Sequence, residues 1–120
     1  MKRKIDKDKF EKIMDKIYDD ISKGAIIIVE GKKDRKSLEN LGLKNIKEIN
    51  KGDNLVEFAD RITAKKIIIL TDFDRRGALL KKRLKELLET TGRRVDTKYR
   101  EELNKATGVK YFENLHNLVR

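Results

Sequence analysis

The sequence predicts a doubly wound α/β domain, in which helices cover both faces of a parallel sheet. Two runs of branched apolar residues, AIIIV at 25–29 and KIIIL at 66–70, have the continuous hydrophobicity of strands buried on both sides. Segments with the apolar spacing of amphipathic helices alternate with these runs along the chain. Regular alternation of strand and helix is typical of this fold class.

In the first half of the chain, apolar spacing indicates the helices and hydrophobic pattern indicates the strands. Apolar residues from Phe10 to Ile21 recur at the spacing of one helix face. Gly42 stands just beyond a second, shorter helix, where glycine commonly follows a helix end, and Asp53 is expected to cap a third. NIKEI alternates as a strand with one better-covered face does. The expected order is helix 10–21, strand 25–29, helix 33–41, strand 45–49 and a helix from Asp53 to about residue 62.

The second half repeats this alternation and then ends in helices. Leu80, Leu84, Leu87 and Leu88 form the apolar stripe of an amphipathic helix, and Gly92 follows its end. RRV is a weaker strand, because only its valine is apolar. The expected order is strand 66–70, a helix through 80–88 that ends near Gly92, strand 93–95, a helix from about residue 98 and a last short helix through 112–119.

The charge of the chain indicates which partners it binds. Its 120 residues include 31 Lys and Arg against 21 Asp and Glu, a formal charge of +10. This excess favours a partner that carries many phosphates, with nucleic acid the leading candidate. A thermophile's ion-paired surface is a second interpretation that can hold together with the first, but a thermophile bias alone predicts a near balance of charge. The chain has no cysteine, which excludes disulfides and thiolate metal sites. Because no apolar run reaches the length of a membrane span, we expect a cytoplasmic protein without a membrane partner.

Acidic residues follow both of the strongly apolar strands. Glu30 comes directly after the first, and Asp72 and Asp74 come after the second. Ligands of doubly wound sheets bind beyond the carboxyl ends of the strands, so these three carboxylates would share one rim if the two strands are neighbours. Crowded carboxylates repel each other, and Mg²⁺, which binds carboxylate oxygens together with phosphate, would relieve that repulsion. An Asp-x-Asp alone is also consistent with a helix cap, and the second acidic position at Glu30 favours a metal site.

Basic residues adjoin these acids in sequence. Lys32 and Lys33 follow Glu30, and Arg75 and Arg76 follow Asp74. Ammonium and guanidinium groups so placed are suited to hold phosphate oxygens. We therefore expect acids that bind a metal beside bases that bind the phosphates the metal also contacts.

VEGKKD at 29–34 and TDFDRRG at 71–77 resemble the two motifs of the Toprim family, a catalytic domain shared by topoisomerases, bacterial-type primases and certain nucleases. The resemblance spans about residues 24–96. The two motifs are especially similar to those of the Toprim ribonuclease that matures bacterial ribosomal RNA. The resemblance implies a three-layer fold whose four-stranded parallel sheet has the order 2-1-3-4, with a helix before it. We expect one Toprim domain with three parts, which are an N-terminal basic segment and helix at 1–23, the Toprim core at 24–96 and C-terminal helices at 97–120.

The resemblance also implies roles for individual residues. Asp72 and Asp74 would bind Mg²⁺, for which Mn²⁺ could substitute, and Glu30 would act as a metal ligand or as the general acid/base at the scissile phosphodiester. Gly31 and Gly77 would let the backbone come close to metal or phosphate.

Two further positions are less well defined. Lys33 and Asp34 fall where roles vary within the family. Ala78 stands where several Toprim enzymes have a further acid, which predicts weak metal binding or a site that the substrate completes.

The expected function is metal-dependent hydrolysis of phosphodiesters, with RNA favoured over DNA and with a protein partner in a processing complex as a further expectation. A dehalogenase-type phosphatase also uses Asp-x-Asp after a strand, but there the motif opens the domain. The alternative that remains is a non-catalytic nucleic-acid-binding or adaptor module that uses the site as a phosphate clamp. Ala78 favours the clamp, whereas Glu30 favours catalysis because a clamp has less need of a general acid/base.

Overall fold

Four strands form a single parallel sheet in the computed structural model, which describes residues 5–50, 52 and 54–120. The strands are β1 (Ile26–Val29), β2 (Ile46–Glu48), β3 (Lys66–Ile69) and β4 (Arg94–Asp96). They lie in the order β2-β1-β3-β4, and all three neighbouring pairs are parallel. The expected α/β class and strand order are confirmed.

Helices connect the strands and flank the sheet. They are α1 (Lys7–Ser22), α2 (Lys32–Asn40), α3 (Leu55–Asp60), α4 (Arg75–Thr90), α5 (Lys98–Thr107) and α6 (Leu115–Val119), with a 3₁₀ turn at Phe112–Asn114 before α6. Helix α4 begins five residues before the leucine stripe that indicated it, because the side chain of Asp74 caps it. The predicted cap Asp53 lies outside the described residues; the side chain of Asn54 accepts hydrogen bonds from the Val56 and Glu57 amides and caps α3.

The two faces of the sheet are covered by different helices. Alternate residues of a strand point to opposite faces, and Ile27 and Ile68 accordingly pack with α1, α5 and the C-terminal segment, whereas Ile28, Ile67 and Ile69 pack with α3 and α4. These strand residues are fully buried, which is why both strands read as continuous apolar runs. The described helices include none that is both long and apolar enough to cross a membrane.

The strand order reverses between β1 and β3. From β1 the chain continues outward to β2, and from β3 it continues outward to β4 on the other side. A ligand crevice is expected at the carboxyl ends of two such strands. Glu30 follows β1 there and Asp72 follows β3. We call this the carboxyl edge of the sheet.

Candidate functional site

The two motifs meet at the carboxyl edge through a direct hydrogen bond. Oε2 of Glu30 accepts a hydrogen bond of 2.7 Å from the backbone N–H of Asp72, although 42 residues separate them in sequence. The pairing of β1 with β3 brings the two segments together. The Glu30 side chain is mostly buried, with 12% of its surface exposed.

Asp72 lies in a partly buried position among other acids. Its Oδ1 accepts a hydrogen bond of 2.8 Å from the backbone N–H of Phe112. The pKa of Asp72 is raised to about 7, first by burial and then by the negative charges of Asp34, Glu30 and Asp74, against the lowering effect of the Phe112 hydrogen bond. The carboxyl is therefore about half protonated at pH 7 unless a cation compensates its charge.

Asp74 caps a helix and also belongs to this acidic group. Its Oδ1 accepts a hydrogen bond of 2.7 Å from the backbone N–H of Gly77, which places the carboxylate at the N-terminus of α4. Its negative charge contributes to the raised pKa of Asp72. The helix cap and the acidic site were opposing interpretations of the Asp-x-Asp, and the geometry of Asp74 satisfies both.

Asp34 is a fourth member of the group, and sequence reasoning did not include it among the site acids. It is buried, with Oδ2 accepting a hydrogen bond of 3.0 Å from the backbone N–H of Gly31. Burial raises its pKa, as does the charge of Glu30, while hydrogen bonds from the Gly31 and Glu113 backbones oppose the shift. The signal that could have found it is the capping box, since an acid three residues after a helix cap turns back towards the cap. We call Glu30, Asp34, Asp72 and Asp74 the carboxylate cluster.

A buried arginine supports the cluster from α5, and no sequence signal indicated it. Arg100 is 3% exposed, and its guanidinium donates to the carbonyl oxygens of Thr71, at 2.7 Å, and Asp72, at 2.6 Å. Its Cζ also lies 4.0 Å from the ring centroid of Phe73. Burial lowers the pKa of Arg100, and the charges of nearby acids, Glu101 first and then Glu30, oppose that shift. The arginine thus fixes the main chain that carries Asp72.

Gly77 is required by a close approach of two backbone segments. A Cβ at this position would lie 1.9 Å from the carbonyl oxygen of Asp72. Thr71 closes the same turn, because its hydroxyl donates to the Gly77 carbonyl at 2.7 Å. The glycine therefore makes room for the Asp72 main chain itself. At Gly31 the backbone is extended, and the nearest atom to an added Cβ is Oδ2 of Asp34 at 3.9 Å.

The predicted phosphate-binding cations are exposed and lie in the helix turns that directly follow the cluster acids in sequence. Nε of Arg76 lies 4.0 Å from Oε1 of Glu30, and half of the Arg76 side chain is exposed. Lys32, Lys33 and Arg75 are also exposed, in the first turns of α2 and α4. Both helices begin at this edge, and helix N-termini favour anions.

The carboxylate cluster suits a hard divalent cation in its chemistry. Among the described residues, no three acidic, histidine or cysteine side chains are already grouped as a metal cage. The donors are nevertheless all carboxylate oxygens, which Mg²⁺ prefers. Burial, together with the charges of the neighbouring acids, raises the pKa of Asp72 to about 7, and a cation would offset the cost of keeping these carboxylates charged. The fit therefore rests on donor type and charge.

Comparison with known proteins identifies relatives along most of the chain. A UPF0292 protein of Methanosarcina acetivorans is 34% identical over 116 residues, covering 93% of this chain and 81% of that protein. A UPF0292 protein of Pyrococcus abyssi is 40% identical over 114 residues, covering 91% and 83% respectively. A solved structure of a protein from Aquifex aeolicus superposes with a TM-score of 0.73 at 29% identity, covering 87% of this chain and 95% of that one.

The family itself is identified by a direct match. The Toprim domain model matches residues 25–100, a range that contains both predicted motifs, the whole sheet and Arg100. The predicted resemblance is confirmed: the chain belongs to the Toprim domain family, whose members bind divalent metal ions such as Mg²⁺ and take part in nucleic-acid processing.

Proposed function

We propose that this protein is a Mg²⁺-dependent phosphodiesterase that hydrolyses RNA. The observation that carries the proposal is the hydrogen bond from the Asp72 N–H to Glu30, which unites the two acidic motifs at the switch point of the sheet. Acids at a strand end are common by themselves, but two acidic motifs in contact at the ligand-binding edge have the composition of a metal-dependent hydrolytic site.

Asp72, Asp74 and Glu30 would hold Mg²⁺, with Mn²⁺ as a substitute. When bound there, the ion would supply positive charge that polarises the scissile phosphate and stabilises the leaving oxygen. Each of these carboxylates also accepts a backbone N–H. Those bonds fix the direction of the side chains before a substrate arrives, and preorganised ligands favour catalysis.

Glu30 is our candidate for the general acid/base. Its Oε2 is engaged with the Asp72 N–H, whereas Oε1 points towards Arg76 at 4.0 Å. We assign proton transfer to Oε1, because it lies on the side from which a phosphate held by Arg76 would approach. Lys32, Lys33 and Arg75 would hold the neighbouring phosphates, together with the backbone of Gly31 and Gly77.

RNA is proposed over DNA because VEGKKD and TDFDRRG are most similar to the motifs of an RNA-maturing Toprim ribonuclease. A protein partner from an RNA-processing complex is part of the same proposal. Contacts to phosphates dominate the expected interface. Affinity should therefore fall steeply with salt and depend little on sequence.

The test compares cleavage and binding in three proteins. Labelled structured RNAs and DNAs of the same sequence are incubated with Mg²⁺ or Mn²⁺ and the wild type, Glu30→Gln or Glu86→Gln. Glutamine keeps an oxygen that can accept the Asp72 N–H, so the fold is retained while the ionisable group is lost. Glu86 is an exposed acid of α4 away from the cluster and controls for the change of charge. Loss of cleavage in Glu30→Gln alone, with RNA binding retained, is the expected result. Cleavage by Glu30→Gln at the wild-type rate would exclude the assigned role.

A second candidate is a non-catalytic phosphate clamp. One oxygen of each carboxylate, on Glu30, Asp72 and Asp74, already accepts a hydrogen bond from a backbone N–H. These bonds favour the clamp, because they give the carboxylates a structural role that needs no catalysis. Tight, Mg²⁺-dependent binding of RNA without cleavage by either the wild type or Glu30→Gln would identify the clamp.

A further inference from the structure

A second cationic site lies at the opposite edge of the sheet, where the strands begin. A cavity of about 820 Å³ opens there between the starts of β1, β3 and β4 and the ends of α1 and α4. We call it the amino-edge cavity. Its charged lining consists of Asp20, Lys23, Lys65, Lys66, Arg93 and Arg94. Five cations thus face one anion, in a volume typical of ligand sites.

Three of the five cations have partners within the protein. Lys66 pairs with Asp20 at 2.7 Å, and Lys23 pairs with Asp19 at 2.9 Å. Arg93 donates to the carbonyl oxygen of Ile62 and to the hydroxyl of Thr91. These contacts explain the three cations structurally, because the two lysines are balanced by carboxylates of α1 and Arg93 satisfies a backbone carbonyl that follows α3.

Lys65 and Arg94 remain without such an explanation. Their side chains make no ion pair or hydrogen bond with any residue in the described part of the chain. They are also neighbours, since the backbone N–H of Arg94 donates to the carbonyl of Lys65 at 2.8 Å. Both side chains are exposed and line the cavity, so their like charges add to its positive potential. An anionic ligand bound there would neutralise these charges.

The backbone around these cations is open to a ligand. Gly24 and Gly92 line the cavity with φ values of +98° and +82°, and no atom lies within 4 Å of a Cβ added at either. The remaining lining is small or polar, including Ala25, Ala64 and Thr63. Within the described lining no aromatic ring is available to stack on a base, so the cavity is suited to phosphates and sugars more than to a particular nucleobase.

We propose that the amino-edge cavity is a second phosphate-binding site, and that Lys65 and Arg94 bind the backbone of a nucleic acid there. Arginine offers a planar fork to phosphate oxygens and lysine offers a point charge, so the pair can hold adjacent phosphates. The site goes beyond the proposed hydrolysis and does not depend on it, because binding in this cavity needs neither a metal nor cleavage.

The test measures binding where no cleavage can occur. Fluorescence anisotropy in EDTA, over a range of salt, compares Lys65→Gln/Arg94→Gln with the control Lys12→Gln/Lys47→Gln. Each pair removes two positive charges, which lowers the net charge from +10 to +8. Lys12 and Lys47 are exposed and lie outside the cavity.

For labelled single-stranded RNA we expect Lys65→Gln/Arg94→Gln to raise Kd about tenfold and to reduce the slope of log affinity against log salt by about 1.4, or about 0.7 for each lost phosphate contact. The control should stay within about twofold of the wild type.

Equal affinities of the two double variants would overturn the proposal, since only net charge would then matter. A second readout is the amide NMR resonances of Gly24 and Gly92, which should shift when oligonucleotide is added to the wild type. Unchanged resonances would also overturn the proposal.

A further titration uses inorganic phosphate and a mononucleotide. Tight mononucleotide binding that is lost in Lys65→Gln/Arg94→Gln, with oligonucleotide affinity unchanged, would contradict a nucleic-acid backbone and identify a small-nucleotide site. All these results are independent of the cleavage assay with Glu30→Gln.

Discussion

Replacing Gly77 by alanine separates two opposite expectations about stability. Gly77 lies in the first turn of α4. Helix propensity alone predicts that alanine stabilises the protein by about 1 kcal/mol. The structure predicts the reverse, because the new Cβ would lie 1.9 Å from the Asp72 carbonyl oxygen, 2.7 Å from its carbonyl carbon and 2.9 Å from its nitrogen. Restoring a separation of 3.0 Å from the oxygen requires a shift of about 1.1 Å between two backbone segments, neither of which is a flexible side-chain end.

The size of the effect follows from what holds Asp72 in place. Its carbonyl accepts from Arg100 at 2.6 Å, and its N–H donates to Glu30 at 2.7 Å. A shift of about 1 Å would disrupt both bonds. Bonds to charged groups contribute about 1.5–3 kcal/mol each, so losing both and gaining about 1 kcal/mol of helix propensity gives an expected net loss of about 2–5 kcal/mol.

Urea unfolding followed by circular dichroism measures this loss, with Gly92→Ala as the matched control. Gly92 has a φ of +82° but open space around it, so alanine there should cost about 1 kcal/mol from backbone strain alone. Unfolding free energies for Gly77→Ala equal to or above the wild type, or a loss no larger than that of Gly92→Ala, would refute the role assigned to the close approach.

Three further predictions concern the core and the cluster. Phe112→Ala should lose about 3–5 kcal/mol in urea unfolding, because its side chain is fully buried; a loss below about 1 kcal/mol would contradict that packing. In EDTA, the contribution of Asp72 to the free energy of unfolding should fall as pH rises from about 4 to about 7, because the folded state retains a proton that the unfolded state has released. Melting curves of Asp72→Asn should lack this fall with pH. Identical pH dependence of stability in Asp72→Asn and the wild type would exclude the effect. Mg²⁺ should raise Tm more at pH 8 than at pH 6, since the proton on Asp72 competes with the ion at the lower pH; an equal rise in Asp72→Asn would show that the ion binds elsewhere.

The fold was predictable because its information is local. Each strand and helix has its own hydrophobic pattern, and the two most apolar strands, β1 and β3, prove to be the two central ones. What pattern alone left undefined was the start of α4 at Arg75, since the residues between Asp74 and the leucine stripe carry no helical periodicity. The cap determines that boundary, and for the Asp-x-Asp a metal site had been favoured over a helix cap.

The candidate site was predictable only in part, because some of its contacts depend on tertiary packing and carry no local sequence signal. Glu30, Asp72 and Asp74 each follow a strand, and the topology of a parallel sheet brings strand ends to one edge. Arg100 reaches Asp72 from 28 residues away along the chain, and its contact depends on how α5 packs on the sheet. Its sequence neighbourhood is charge-rich throughout, so nothing distinguished it from a solvated arginine. The amide of Phe112 could not have been predicted either, because a backbone N–H carries no sequence signal.

The loop that carries Asp72 is held from both sides, and this explains how a crowded acidic site can exist in the folded chain. Arg100 donates to its carbonyl groups, and the backbone carbonyl of Lys110 accepts from the Phe73 N–H at 2.7 Å. The Phe112 N–H donates to the Asp72 carboxyl. Three of these donors and acceptors come from residues after β4, so the C-terminal helices are part of the site as well as its cover. Their bonds oppose the mutual repulsion of the cluster but do not cancel it, since burial still keeps the pKa of Asp72 near 7. Folding therefore brings the carboxylates together and leaves a deficit of positive charge, which is the condition under which a divalent ion, and the phosphate it shares, would bind.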